Sequence, residues 1–295
     1  MYNIQQLQKE TIDILKASSV LVQRVKRFLE AKQQQHYQEM LLQETRKMTN
    51  AEVFLPMIAP MNAGKSTVIN AIIGTRLLPS HNQGMTTLPT EIELCQDAEM
   101  PTLILTEATQ NVFQTLVDNL KTFIATKGTT WIDEQIEEYS YLTPLVLAIQ
   151  EGEWDHLLNE MDGQQRILAF LEGMNHIIRL CILMGIDVSA ILNLQDYPRI
   201  IAPFKPFSQL SLTKSIGKLV LIDAPGANEG HTNPQIAAVL EEILYHVMAR
   251  QLALGSLIIT LVDFTDPNSA EALKIMQAVV NMASERGADN VYVLY

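Results

Sequence analysis

From Ile4 onward, the residues Ile4, Leu7, Thr11, Ile14, Ser18, Leu21, Val25 and Phe28 follow one another at alternating steps of three and four. That spacing lays side chains along one stripe of a helix, and such a stripe needs a partner helix. The repeat fades into the polar run Gln33, Gln34, Gln35, His36, after which a second helical stretch containing Tyr37, Met40, Leu41 and Met48 leads to Thr49 and Asn50. Residues 1–50 are therefore expected to form a helical lead-in.

The period then changes. Residues 53–59 form a short apolar run, and Gly64-Lys65-Ser66-Thr67 opens an apolar helix over 68–73 that stops at Gly74. Residues 91–94 and 102–106 read as strands with a turn around 97–101. Between about 111 and 197 the pattern is helical, with Val112, Leu116, Leu120 and Ile124 on one face and a later run from 164 to 184, which predicts a helical insertion. Strand character returns at 200–207 and 219–222. A helix is expected at 233–254, an apolar strand at 257–262, a last helix at 269–285 and a strand at 291–295. Strands that alternate with helices and are apolar on both faces predict an α/β fold with a mostly parallel sheet covered on both sides.

Composition narrows the function classes. The chain is 47% hydrophobic, enough for a sizeable core, and carries a formal net charge of −12. That balance argues against dedicated nucleic-acid binding, because phosphate affinity is built from clustered Lys and Arg. Cys95 and Cys181 are the two cysteines, without CxxC or Cys/His spacing, so neither a disulfide framework nor a zinc site is signalled and a reducing cytoplasm fits. No run of about 18 apolar residues occurs and the N-terminus lacks an apolar signal core. Arg24, Lys26 and Arg27 form a basic knot near the N-terminus. Three charges on a helix read as its solvated face, adding only about 1 kcal/mol per charge at an anionic membrane.

The segment carrying chemistry is Ala59-Pro60-Met61-Asn62-Ala63-Gly64-Lys65-Ser66. It matches the phosphate-loop pattern G-x-x-x-x-G-K-[ST] at every fixed position but the first, where Ala replaces Gly. A strand ends at this loop and a helix begins beyond it, so backbone amides from Asn62 through Thr67 would converge on phosphate oxygens. In that setting Lys65 reaches the β- and γ-phosphates, Ser66 binds Mg²⁺, and Gly64 lets the backbone approach closely. Downstream, Asp223-Ala224-Pro225-Gly226 follows the apolar run 219–222. An aspartate there orients Mg²⁺, and the Gly226 amide senses the γ-phosphate. The two segments together describe a Mg²⁺-dependent nucleoside triphosphatase, and D-x-P-G favours GTP over ATP.

At these residues the chain resembles the dynamin family, in particular bacterial members, among them a homologue that binds the replication sliding clamp. The resemblance is carried by residues 62–74, by Leu78-Pro79 and Met85-Thr86-Thr87-Leu88-Pro89-Thr90, and by Asp223 to Glu229. It implies a dynamin-type G domain of the P-loop class over 51–295, hydrolysing GTP with Mg²⁺, whose N-terminal helix joins a bundle with helices from beyond that domain. It implies that Thr86 closes over Mg²⁺ and positions the attacking water. It implies self-association through the G domain and leaves a membrane surface and the replication clamp as candidate partners, the location being cytoplasmic or peripheral at a membrane. Dynamins carry Gln and Ser at the positions of Met61 and Asn62. A thioether cannot orient a water usefully, and Asn62 offers only a neutral amide, so hydrolysis is expected to be slow or partner-stimulated. Any monovalent-cation dependence would run through Asn62.

Guanine specificity in this class rests on N/T-K-x-D, and no such tetrapeptide occurs in the chain. Its place is the end of the run 291–295, where the sequence stops, so the G domain is expected to be incomplete and the base is inferred from the resemblance alone. An ATPase of the same architecture and a nucleotide-binding scaffold with little hydrolysis stay open. Gln209-Leu210-Ser211-Leu212 is similar to the start of a clamp-binding peptide but alternates as a sheet edge does.

Overall fold

The computed structural model describes residues 4–50, 52–60, 63–79, 86–152, 163–194, 196–204, 218–226, 233–253, 256, 258–261 and 270–285. Met61, Asn62, Met85, the segment 209–212, Ala227 to Glu229 and the strand expected at 291–295 lie outside the described residues.

Helices α1 (Ile4–Arg24) and α2 (Ala31–Asn50) run antiparallel on either side of a 3-10 turn at Lys26–Phe28. Gln8 donates to the Met48 carbonyl, and Gln38 Nε2 donates to the Ser19 carbonyl at 3.4 Å. Two expectations change here. The glutamine run is helical, since Gln is a good helix former and Gln35 Nε2 donates to Glu39 Oε1 at 2.8 Å one turn on. The stripe facing α2 is also rotated. Ile12, Leu15, Val22 and Val25 are half-buried, whereas Leu7, Ile14, Leu21 and Phe28 are exposed. A 3–4 alternation fits two adjoining stripes that share Thr11, Ser18 and Val25, and a straight helix of 3.6 residues per turn uses the neighbouring one.

The remaining elements build an α/β unit. Strand β1 (Glu52–Ile58) leads to helix α3 (Lys65–Ile73), and strands β2 (Thr90–Cys95) and β3 (Thr102–Ile104) follow. The insertion supplies α4 (Glu107–Lys127), α5 (Thr129–Gln135), α6 (Thr143–Glu151), α7 (Gln164–Leu183) and the short α8 (Ser189–Leu192). Strands β4 (Arg199–Pro203) and β5 (Lys218–Asp223), helix α9 (Pro234–Ala253), strand β6 (Ile259–Thr260) and helix α10 (Ala270–Glu285) complete it. Helix α4 starts where it does because the Thr106 hydroxyl accepts the Thr109 amide at 3.2 Å, with Glu107 in the first turn and Lys127 in the last. Its buried face carries Phe113, Leu116, Leu120 and Ile124, and it packs on α7.

The strand order is β3-β4-β2-β5-β1-β6. The sheet is mostly parallel: β1 pairs β6 and β2 pairs β4 in parallel, while β3 pairs β4 antiparallel. The turn at 97–101 thus makes no hairpin, because β4 lies between β2 and β3. Side chains hold that register. Arg199 stands opposite Glu91 in the ladder, donates through Nε to Glu91 Oε2 at 2.8 Å, and reaches Glu93 Oε2 at 3.4 Å. Both carboxylates are buried, and a planar guanidinium can meet two acceptors on one face of a neighbouring strand. Among the described residues, no helix is long and apolar enough to cross a membrane.

Candidate functional site

Strand β1 ends at Ile58, and the chain reaches α3 through Gly64, which adopts the left-handed conformation at φ +80°. A residue with a Cβ is strained there, so this glycine sets the sharp entry that places Lys65 and Ser66 in the first turn. Ile69 and Ile73 follow one and two turns after Lys65 on the same buried face of α3, and Gly74, at φ +79°, ends the helix. Beyond it, Asn70 ties the connection down. Its Oδ1 accepts the amides of Leu77 and Leu78, both at 2.9 Å, and its Nδ2 donates to the Leu78 carbonyl at 2.9 Å.

Strand β5 delivers Asp223 at its C-terminal end, 1% exposed. The Lys65 ammonium donates to Asp223 Oδ1. On Oδ2 the carboxylate accepts the Thr86 hydroxyl at 2.9 Å and the Ser66 hydroxyl at 3.1 Å. The two hydroxyl oxygens are 3.4 Å apart. Three side chains from two stretches of sequence therefore converge on one carboxylate from a third. Burying that charge is tolerable because a buried ammonium neutralises it and two hydroxyls satisfy its lone pairs.

The donor set is one carboxylate and two hydroxyls, all hard oxygens at the N-terminus of a helix. Mg²⁺ suits it, since that ion is a hard cation held through one or two carboxylates and completes its shell with other oxygens, water and substrate phosphates. Among the described residues no cluster of His, Cys, Asp and Glu could hold a metal by itself. The helix end, its free amides and Lys65 favour an anion beside that position.

Of the other residues singled out in the sequence, Ala63 and Gly64 are half-buried in the loop and Gly226 is half-buried three residues past Asp223. Thr67 is exposed on α3 and outside the side-chain cluster. Asn62 lies outside the described residues.

Sequence reasoning missed Asn175. This residue of α7 is 3% exposed, and its side chain meets the segment that follows Thr86. The available signal was a lone amide in the largely apolar stretch Leu171 to Leu183. Cys181, on the same helix, has its thiol pushed up to about 12 by burial, so it is a packing residue rather than a nucleophile.

Residues 57–294 match the family model described as the dynamin family. The chain is also similar to Clamp-binding protein CrfC of Escherichia coli strain K12, and to the protein of that name from Escherichia coli. Each is 28% identical over 246 residues, covering 82% of this chain and 31% of the relative. The chain thus spans about a third of the length of the curated relatives it matches.

Proposed function

The chain belongs to the dynamin family, and on that premise we propose that it binds Mg²⁺ and GTP at the Lys65–Asp223 cluster and hydrolyses GTP to GDP and phosphate. The observation that supports this reading is the meeting of Lys65, Ser66, Thr86 and Asp223 at the start of α3. In the proposed complex the amides from Asn62 to Thr67 take the phosphate oxygens and Lys65 turns its ammonium from Asp223 to the β- and γ-phosphoryl oxygens. Ser66 and Thr86 supply oxygen ligands to the metal, and Asp223 orients its shell. Bound Mg²⁺ supplies charge neutralisation at the phosphoryl oxygens. Thr86 also fixes the attacking water, and the Gly226 amide senses the γ-phosphate.

The division of labour along the chain is part of the same proposal. Residues 51–295 act as the G domain, with the insertion at about 111–197, and residues 1–50 belong to a helical bundle. The G domain self-associates. Because the relative is named as clamp-binding, the replication clamp is the partner we favour over a membrane surface, with the protein cytoplasmic.

Met61 and Asn62 stand where family members carry Gln and Ser, which favours a second reading, a nucleotide-binding scaffold with little turnover. Single-turnover GTP hydrolysis by the wild type and Lys65→Ala decides between them. The enzyme reading expects phosphate release that falls at least about 100-fold on losing the ammonium, the scale of removing one transition-state donor. Tight GTP binding with no release by the wild type establishes the scaffold instead.

A further inference from the structure

Thr86 lies in a stretch without regular structure just before β2, so something outside that stretch must fix where its hydroxyl points. The two residues that follow it are held by the Asn175 carboxamide. Its Oδ1 accepts the Thr87 amide at 2.7 Å, the Thr87 hydroxyl at 2.7 Å and the Leu88 amide at 2.9 Å. Its Nδ2 donates to the Leu171 carbonyl, one turn back on α7, at 2.8 Å. Three of the four partners fix which end of the amide is oxygen, because two are backbone N–H groups and one is a carbonyl. Thr87 and Leu88 are buried, and so are Phe170, Leu171, Met174, Ile177 and Ile178 around the amide on α7. The lock is therefore held by a rigid helix and shielded from water, where unmade hydrogen bonds are costly.

We propose that Asn175 is a positioning residue for GTP hydrolysis: from the helical insertion it clamps residues 87 and 88 and thereby holds the Thr86 hydroxyl on Asp223, where it must meet metal and water. The inference rests on the reading of Thr86 given above. Misplacing a reacting group by about 1 Å costs on the order of 100-fold in rate. Asn175 touches none of the reacting atoms, so its effect passes through Thr86. The 2.9 Å contact from Thr86 to Asp223 is the point at which that effect is felt.

The test compares Thr86→Ala, Asn175→Ala, their double variant and Thr87→Val in the full-length protein, by single-turnover GTP hydrolysis and by GDP affinity. Thr86→Ala is expected to slow hydrolysis strongly, and Asn175→Ala to slow it at least about tenfold while GDP affinity stays within about twofold, because the chain acts on turnover and not on the diphosphate. In the Thr86→Ala background, Asn175→Ala should add less than about a twofold loss, the mark of two residues acting as one unit. Thr87→Val removes one of the three donors and keeps both amides. It should slow hydrolysis by about threefold and carries the test if Asn175→Ala fails to fold. A slowed Thr86→Ala beside a wild-type rate in Asn175→Ala and Thr87→Val overturns the inference alone, as do losses that multiply in the double variant. Wild-type hydrolysis by Thr86→Ala overturns the reading of Thr86 and the inference with it.

Discussion

The α1–α2 hairpin and helix α7 are both long, helical and carry recurring apolar residues, yet they bury them very differently. Helix α7 encloses Ile167, Phe170, Leu171, Met174, Ile177, Ile178 and Leu180, together with the polar Asn175 and Arg179. Between residues 6 and 50 no described side chain is buried, and Leu7, Ile14, Leu21 and Phe28 stand exposed at seven-residue intervals. Apolar periodicity alone therefore makes a helix but does not give it a core. Helix α7 packs against α4, α6 and α9, and in such surroundings an amide such as Asn175 is held in one orientation.

Two stability measurements set that contrast on a scale. Replacing Phe170, 1% exposed, by Ala should cost about 3–5 kcal/mol in urea unfolding, through lost transfer energy and the cavity left behind. A cost under about 1 kcal/mol would show that α7 is far looser than its burial implies. At the small end, Ile14→Ala, at a position 66% exposed, should change stability by no more than about 0.5 kcal/mol. A loss of several kcal/mol in the isolated chain would mean that the exposed stripe is covered, and the contrast would vanish.

The parts of the molecule legible in the sequence are those whose causes are local. Strand β1, the Gly64 turn and α3 follow from an apolar run, a glycine and a second apolar run within about twenty residues, and Asp223 stands where β5 runs out. Strand β1, helix α3 and the end of β5 are where the pattern placed them. What sequence reading missed depends on partners far along the chain. The choice between two adjoining stripes on α1 is made by α2. The place of β4 between β2 and β3 is held by Arg199 against Glu91 and Glu93, more than 100 residues away. Asn175 meets Thr87 across 88 residues, so no window along the sequence could show that an amide in an apolar helix served the loop of Thr86.

Asp223 and its three donors are proposed to form the Mg²⁺ end of a GTP site. This assignment is tested most directly by calorimetric titration of GTP with and without Mg²⁺, on the wild type and on Asp223→Asn, a change that keeps shape and removes charge. Mg²⁺ should tighten GTP binding by the wild type at least about tenfold, roughly 1.4 kcal/mol, and Asp223→Asn should abolish the gain. An equal gain in both proteins would place the metal elsewhere and contradict the assignment.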